Sequence, residues 1–328
     1  MEEPQQLRQV AELQAELERG LRRRSLAGRG ILVAVSGGAD SLVLMHALKA
    51  CSPRLDLRLE VATVDHGLQP QSATWADGVE RAATQLSLRC HRATLQLDPT
   101  SSGVEAKARD ARYAALERIR RQAGLDVVAT AHTASDQAET LVMRLARGTA
   151  LGGAAGILEE REDRVVRPLL FATRADVERW AEALGLSPVS DPMNGDPAFL
   201  RARIRREVLP AWSAAVGFEV QPALARFARL AAEDDRYLSE EARRAFERCA
   251  LSTGGLDRVA VAALAIPVRR RVVAEVLSSA ELPLDTVVLE EALRAVAEGG
   301  TATLPGDKLL ACTNDRVRVE PAPPRRTS

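Results

Sequence analysis

Ile31-Leu32-Val33-Ala34-Val35 runs without a polar residue straight into Ser36-Gly37-Gly38-Ala39-Asp40-Ser41. No other feature narrows the choice of fold as far. An apolar run of strand length with no polar alternation suits a strand buried on both faces, as in a parallel sheet. The two glycines at its carboxyl end permit a tight turn and close approach of a ligand, and the residues beyond read as a helix. Successive N–H groups in such a turn cup an anion, and the helix dipole adds to their field. The Ser36 and Ser41 hydroxyls can donate to phosphate oxygens. Asp40 repels phosphate, so it implies either a Mg²⁺ ion between the two or a helix-capping role. The spacing is neither GxxxxGK[ST] nor GxGxxG, which argues against a Walker A loop and a dinucleotide fold. Ser and Asp also suit a plain strand-to-helix turn, but the whole pattern after a buried strand favours a nucleotide phosphate site. Its expected members are Ser36, Gly37, Gly38, Ala39, Asp40 and Ser41.

Further segments of the same kind follow. Strands are expected at 57–64, 90–97 and 126–130, with helices near 41–50, 72–88 and 103–123 between them. Alternating β and α units with buried strands predict an α/β fold, an open parallel sheet with right-handed crossovers. Before the first strand, Leu7, Val10, Leu13, Leu17 and Leu21 recur at three- and four-residue steps and predict an amphipathic helix over 5–24. Ser102 and Glu105 fit a capping box for the 103–123 helix, and Gly124 fits its end. A further helix is expected from about Ser135 to Arg147, stopped by Gly148.

In open α/β sheets ligands bind beyond the carboxyl ends of the strands. The loops 36–41, Asp65-His66-Gly67-Leu68 and 131–136 should therefore line one crevice. His66 and His132 there are candidates for nucleotide contact, whereas His46 and His91 read as structural or surface residues. Asp136 and Glu139 sit three apart at a helix start and share a face with Met143. Ala138, Leu141, Val142 and Leu145 would form the buried face. Two carboxylates at that point can hold a substrate ammonium or Mg²⁺, or can simply favour the helix dipole. On the 103–123 helix, Arg109, Arg112 and Tyr113 occupy neighbouring turns. Arg109 can pair with Glu105, or an arginine can reach phosphate with its planar fork. Arg201, Arg203, Arg205 and Arg206 form the strongest local basic patch and can contact RNA or a triphosphate.

After about 215 the texture changes. Segments 221–250, 258–280 and 286–298 read as helices, and TATLPGDKLLACTNDRVRVE reads as short antiparallel strands with turns at Pro305-Gly306 and Asn314-Asp315. The 328 residues suit roughly two domains. The expected division is an N-terminal helix over 1–27, an α/β domain carrying the nucleotide phosphate site over 28–215, a helical linker and smaller, mainly helical domain over 216–320, and a disordered Pro-rich tail over 321–328. Forty-five basic and 45 acidic residues cancel, which argues against a chain basic throughout. Only Lys49, Lys107 and Lys308 are lysines; a general codon bias produces such a composition as readily as a demand for guanidinium, so arginine abundance is weak support for RNA binding. No apolar run reaches membrane length, no secretory signal is visible, and Cys51, Cys90, Cys249 and Cys312 lack metal-knuckle spacing. A cytoplasmic protein with no membrane association is expected.

Taken in order, these motifs resemble one family. SGGADS at 36–41 is followed by VDHGL at 64–68, VEAKARDARYAAL at 104–116, AHTASDQAET at 131–140, RLARG at 144–148, RPLL at 167–170 and DPMNGDPAFLRARIRREVLP at 191–210. The set is similar to that of the tRNA(Ile)-lysidine synthases, within the PP-loop ATP-pyrophosphatases. Thr133, Ser135, Met193 and Ala202 depart from the family pattern, while Asp136 and Glu139 keep to it. The resemblance covers about 31–210. Beyond 215 the likeness is architectural, with a C-terminal region that would contact tRNA.

The resemblance implies a PP-loop fold and an ATP-dependent, C–N bond-forming ligase using ATP and Mg²⁺. Its partners would be free L-lysine and the isoleucine tRNA with a CAU anticodon, and it leaves room for a homodimer. Lysine would be joined to carbon 2 of the wobble cytidine through an adenylated intermediate, changing codon reading from AUG to AUA and tRNA identity from Met to Ile. It implies catalytic roles for Asp40, Asp136, Glu139, Arg109, Arg112 and Arg205, with Asp40 as a Mg²⁺ ligand. Arg201, Arg203, Arg205 and Arg206 would position the tRNA. The alternatives are a thiolase-type PP-loop tRNA enzyme, which paired cysteines would favour, and a non-catalytic ATP-binding relative.

Overall fold

The computed structural model describes residues 2–65, 67, 71–95, 104–189, 200–282 and 285–322. Two compact units divide the chain, Met1–Ala232 and Glu233–Ser328. The first opens with helix α1 (Glu2–Arg23) and strand β1 (Gly30–Ala34). Helix α2 (Ala39–Leu55), β2 (Arg58–Asp65), α3 (Ser72–Gln85), β3 (Arg89–Thr94), α4 (Val104–Gln122) and β4 (Val127–Ala129) follow in strict alternation. Then come α5 (Ala134–Ala146), α6 (Leu151–Ala154), β5 (Val165–Val166) and α7 (Arg174–Ala183). Helix α8 (Leu200–Arg203) leads through a π-helical turn (Ile204–Val208) into α9 (Leu209–Val216) and the long α10 (Val220–Cys249), which crosses the boundary between the units.

The sheet is parallel, in the order β3-β2-β1-β4-β5. The apolar run becomes its central strand, with Ile31 opposite both Leu59 and Val127. Period-two alternation then sends Ile31 and Val33 into a core shared with α1, α2, α3 and α7, and Leu32 into a second core beneath α4. Both faces are covered, so no polar position is tolerated along β1. Because β2 and β4 lie on opposite sides of β1, the chain reverses direction across the sheet there, which opens a crevice at the carboxyl ends of β1 and β4.

Helix ends follow local chemistry. Gly124 and Gly148 take left-handed φ values of 63° and 73° just beyond α4 and α5. Helix α5 starts at Ala134 with Thr133 as its cap. Ser102 and the Glu105 side chain, the expected cap of α4, lie outside the described residues. Neither β5 nor α7 follows from the sequence pattern. β5 has only two residues between charged neighbours, and α7 is fixed by burial of Trp180, which is 1% exposed.

The second unit adds β6 (Leu256–Asp257), α11 (Arg258–Ala263), α12 (Ile266–Ser279), α13 (Thr286–Glu298), β7 (Gly300–Leu304), β8 (Lys308–Cys312) and β9 (Arg316–Pro321). Its strands form an antiparallel sheet in the order β6-β9-β8-β7. One core joins that sheet to α11, α12, α13 and the end of α10. The single helix expected over 258–280 is two helices. The break falls at Leu264-Ala265, and Pro267 sits in the first turn of α12, where its missing N–H costs nothing. The end of the Pro-rich tail, from 323, lies outside the described residues.

Candidate active site

The loop after β1 is held by its own serines. Ser41 Oγ donates to the Gly38 carbonyl at 2.9 Å and accepts from the Ser36 amide at 3.1 Å, and the two hydroxyls lie 3.3 Å apart. Ser41 is buried and Ser36 is exposed, so Ser41 shapes the turn and Ser36 faces outward. Gly37 has φ 88°, and a Cβ there would meet Val189 Cγ2 at 2.7 Å. The Val189 amide donates to the Gly37 carbonyl at 3.1 Å. Both the backbone angle and the close approach demand glycine. The Ala39 and Asp40 amides open α2 without an intrahelical acceptor, the Ser41 and Leu42 amides bond to the Gly38 carbonyl at 3.1 Å, and Gly38 caps the helix without a side-chain hydrogen bond. Asp40 therefore does not act as the cap. Burial, opposed by Arg174 and aided by Asp136, raises its pKa to about 6.

Across the crevice, the Thr133 hydroxyl accepts from the Asp136 amide, and Asp136 Oδ2 accepts from the Thr133 amide at 2.9 Å. This reciprocal cap gives Thr133, one of the departures from the family pattern, a local task. Ser135, another departure, donates to Gln221 Oε1 at 2.5 Å and accepts from the Arg174 amide at 3.0 Å. It stitches α5 to α7 and α10. Thr173 and Asp176 cap α7 in the same way as Thr133 and Asp136 cap α5.

The carboxylates and the basic segment meet. Arg205 forks onto Glu139, with Nε 2.5 Å from Oε1 and Nη2 2.9 Å from Oε2. Arg201 bridges both acids, with Nε 2.6 Å from Glu139 Oε2 and Nη2 2.9 Å from Asp136 Oδ1. Glu139 is 1% exposed beneath these guanidiniums. Burial works to raise the Asp136 pKa, but Arg201 and the Thr133 amide outweigh it and hold the carboxyl below its ordinary range. Arg201 and Arg205, read from sequence as RNA-facing, thus have carboxylate partners. Arg203 and Arg206 are exposed. The helical spacing that aligns Arg201 with Arg205 continues into the π-helical turn, which buries Ile204 and leaves Val208 43% exposed. Leu145, expected on the buried face of α5, is 47% exposed.

His132 Nδ1 lies 3.0 Å from Thr130 Oγ1. Burial, aided by Arg167, Arg109 and Arg201, lowers its pKa to about 4, so the ring is neutral near pH 7. His66 lies outside the described residues, although Asp65 at the end of β2 accepts from the Gly67 amide at 2.9 Å. Arg109 and Arg112 gather on Tyr113 rather than at the glycine loop. Sequence reasoning missed Arg174, whose charge is felt by both Asp40 and Asp136. The signal available was its place directly after the Thr173 cap, inside a T-x-x-D capping motif.

A PP-loop domain model matches residues 4–212. A tRNA(Ile)-lysidine synthase from Salinispora arenicola is 40% identical over 307 residues, covering 90% of this chain and 92% of that protein. The chain belongs to the tRNA(Ile)-lysidine synthase family. It is therefore an ATP-dependent PP-loop ligase, as the motifs implied. A second family member, from Thermobifida fusca, is 38% identical over 80% of this chain and 81% of its own length. Among solved structures, a U34-tRNA thiolase from Methanococcus maripaludis with a [4Fe-4S] cluster aligns with a TM-score of 0.58 at 18% identity, covering 68% of this chain and 78% of that one. That likeness is one of fold. In this family member Cys51, Cys249 and Cys312 are buried. Burial pushes the Cys90 and Cys312 thiols up to about 11. Among the described residues no three His, Cys, Asp or Glu side chains cluster as metal ligands. No helix among them is long and apolar enough to cross a membrane.

Proposed function

We propose that this protein joins L-lysine to carbon 2 of the wobble cytidine in the CAU-anticodon isoleucine tRNA, consuming ATP. The carrying observation is the carboxylate pair at the switch point. Asp136 and Glu139 hold nitrogen cations in charge-assisted hydrogen bonds, and the lysine ε-ammonium is a cation of the same class. The glycine loop lies near enough for Asp40 and Asp136 to feel each other's charge.

In the first step the cytosine O2 attacks the α-phosphorus and pyrophosphate leaves. Main-chain amides at the glycine loop and the start of α2 stabilise the charge that develops on the phosphates. In the second step the lysine ε-amine attacks carbon 2 and AMP leaves. The ammonium must lose a proton before it attacks, and the neutral His132 imidazole or a crevice carboxylate can accept it. The target base must leave its stack to reach the crevice. Exposed Arg203 and Arg206 suit RNA phosphates.

The donor chemistry fits a Mg²⁺ ion. Asp40 is a carboxyl whose anion is made costly by burial and by Asp136, and a divalent cation would relieve that cost. Mg²⁺ commonly takes one or two carboxylates and fills its shell with water and phosphate. Bound there with Asp40, it would neutralise phosphate charge. A thiolase reading has no comparable support, since the cysteines are dispersed and protonated.

The test is incorporation of labelled lysine into CAU-anticodon isoleucine tRNA by purified protein with ATP and Mg²⁺. Incorporation that needs ATP and disappears in Asp40→Ala supports the reading. ATP turnover with tRNA but without lysine uptake would replace it with another PP-loop tRNA modification. ATP binding with no turnover would point to a non-catalytic relative.

A further inference from the structure

Four further arginines collect around one ring. The guanidinium carbons of Arg109, Arg112 and Arg161 lie 5.4, 5.6 and 5.2 Å from the centre of Tyr113. All three distances fall within the ~6 Å over which an aromatic face attracts a cation. Arg167, 3% exposed, follows β5 directly and sits close to the same tyrosine. It donates to the Leu158 carbonyl, while its buried Nε has no partner. The buried Tyr113 hydroxyl lies close to Arg112 and Arg167 without a hydrogen bond of sound geometry. Among the described residues the one carboxylate paired with any of the four arginines is Asp163, 2.7 Å from Arg161.

Arg167 is buried and Arg112 half-buried, neither with a carboxylate partner among the described residues, while Arg109 and Arg161 reach solvent beside them; the two less exposed charges call for a counter-ion. Burial depresses the pKa of both Arg112 and Arg167, so neither is comfortable as a cation where it stands. An aromatic face returns roughly 0.5–2 kcal/mol per cation, less than the several kcal/mol that desolvating an unpaired ion costs. We infer that Arg109, Arg112, Arg161 and Arg167 form a phosphate-binding site, with Tyr113 as the platform that fans their planar forks toward one oxyanion. His132 feels the charges of Arg167 and Arg109. The phosphate therefore lies on the His132 side of the crevice. The existence of the site does not depend on lysine ligation; that reading enters only in naming two sources of phosphate, the polyphosphate chain of ATP and a phosphodiester of the RNA.

Two titrations distinguish the sources. ATP affinity is measured without RNA, and tRNA affinity is measured without ATP across a salt series. Wild type is compared with Arg161→Gln, Arg109→Gln and Arg167→Gln, with thermal melts to verify folding. At least one affinity is expected to fall about tenfold in Arg167→Gln and severalfold in the other two. An RNA phosphodiester as ligand also lowers the slope of log K against log salt by about one for each contact removed. The ATP polyphosphate as ligand moves only the ATP titration. If Arg167→Gln fails to fold, Arg161→Gln and Arg109→Gln carry the test. Folded variants whose two affinities and salt slope all stay within twofold of wild type overturn the inference, as does a wild type that binds neither ligand. A protein that binds through these arginines yet incorporates no lysine keeps the site and loses the ligase reading.

Discussion

The glycine loop and the carboxylate–arginine cluster present polar groups to the same crevice by opposite means. The loop is six consecutive residues whose backbone does the work, and its serines bond only within it. The cluster is made of side chains 62 to 66 residues apart, brought together by α5, α8 and the π-helical turn. A local device tolerates almost no change in residue type, because its geometry is encoded in φ angles and close contacts. A tertiary device tolerates more, because each member has several partners to redistribute. Their charge states differ too. Asp40 is pushed toward the neutral form, whereas Asp136 is held ionised.

The largest expected effect is on the loop. Gly37→Ala places a methyl at φ 88° and within 2.7 Å of Val189, so ATP-dependent turnover should fall by about 10²–10³-fold, the loss typical of a misplaced oxyanion donor. Steady-state pyrophosphate release checks it, and near-normal turnover would show that the backbone geometry is not critical.

Glu139→Ala probes the cluster. It leaves Arg201 and Arg205 beside a buried void without their shared carboxylate. Stability should drop by about 2–4 kcal/mol, below the full value for an interior pair because both arginines are partly exposed. Denaturant unfolding measures it, and a loss under 1 kcal/mol would mean that Asp136 takes over both partners.

Asp40→Asn separates function from stability. The folded pKa of about 6 lies above the ordinary carboxylate value, so folding carries a cost above pH 6 that fades as the group protonates toward pH 4. The variant should be more stable than wild type at pH 7.5, by at most about 3 kcal/mol. The gain should vanish near pH 4, and activity should be lost at every pH. Melting temperatures across that range decide it. Equal stability at pH 7.5 would show that Asp40 carries no burial cost.

Thr133→Ala removes one half of the α5 cap and should cost about 1 kcal/mol. It should also loosen Asp136, so under the proposed lysine ligation the Michaelis constant for lysine should rise more than turnover falls. An unchanged Michaelis constant would make the cap purely structural.

Much of this was legible without coordinates, for a definite reason. β1 reads as central because it is apolar at every position, and the loop after it reads as a phosphate cradle because its chemistry is contiguous. Asp136 and Glu139 were legible as a pair because helical spacing fixes i and i+3 on one side. The partners of that pair were not. Arg201 and Arg205 stood out as local basicity suited to RNA or a triphosphate, with a catalytic role for Arg205 implied by the resemblance alone, and nothing local places them over Glu139. Thr133 and Ser135 looked like losses, yet the structure uses them as a helix cap and an interhelix bridge.

Sequence by itself determined the parallel α/β architecture, the glycine loop and the carboxylate pair, since each depends on periodicity or on neighbours within a few residues. Tertiary structure alone decided which charges meet. It gave Arg201 and Arg205 to the carboxylates and gathered Arg109, Arg112, Arg161 and Arg167 about Tyr113. It also buried Asp40 enough to change its pKa. Coulombic and desolvation energies depend on distance and burial in space, and neither is set by separation along the chain.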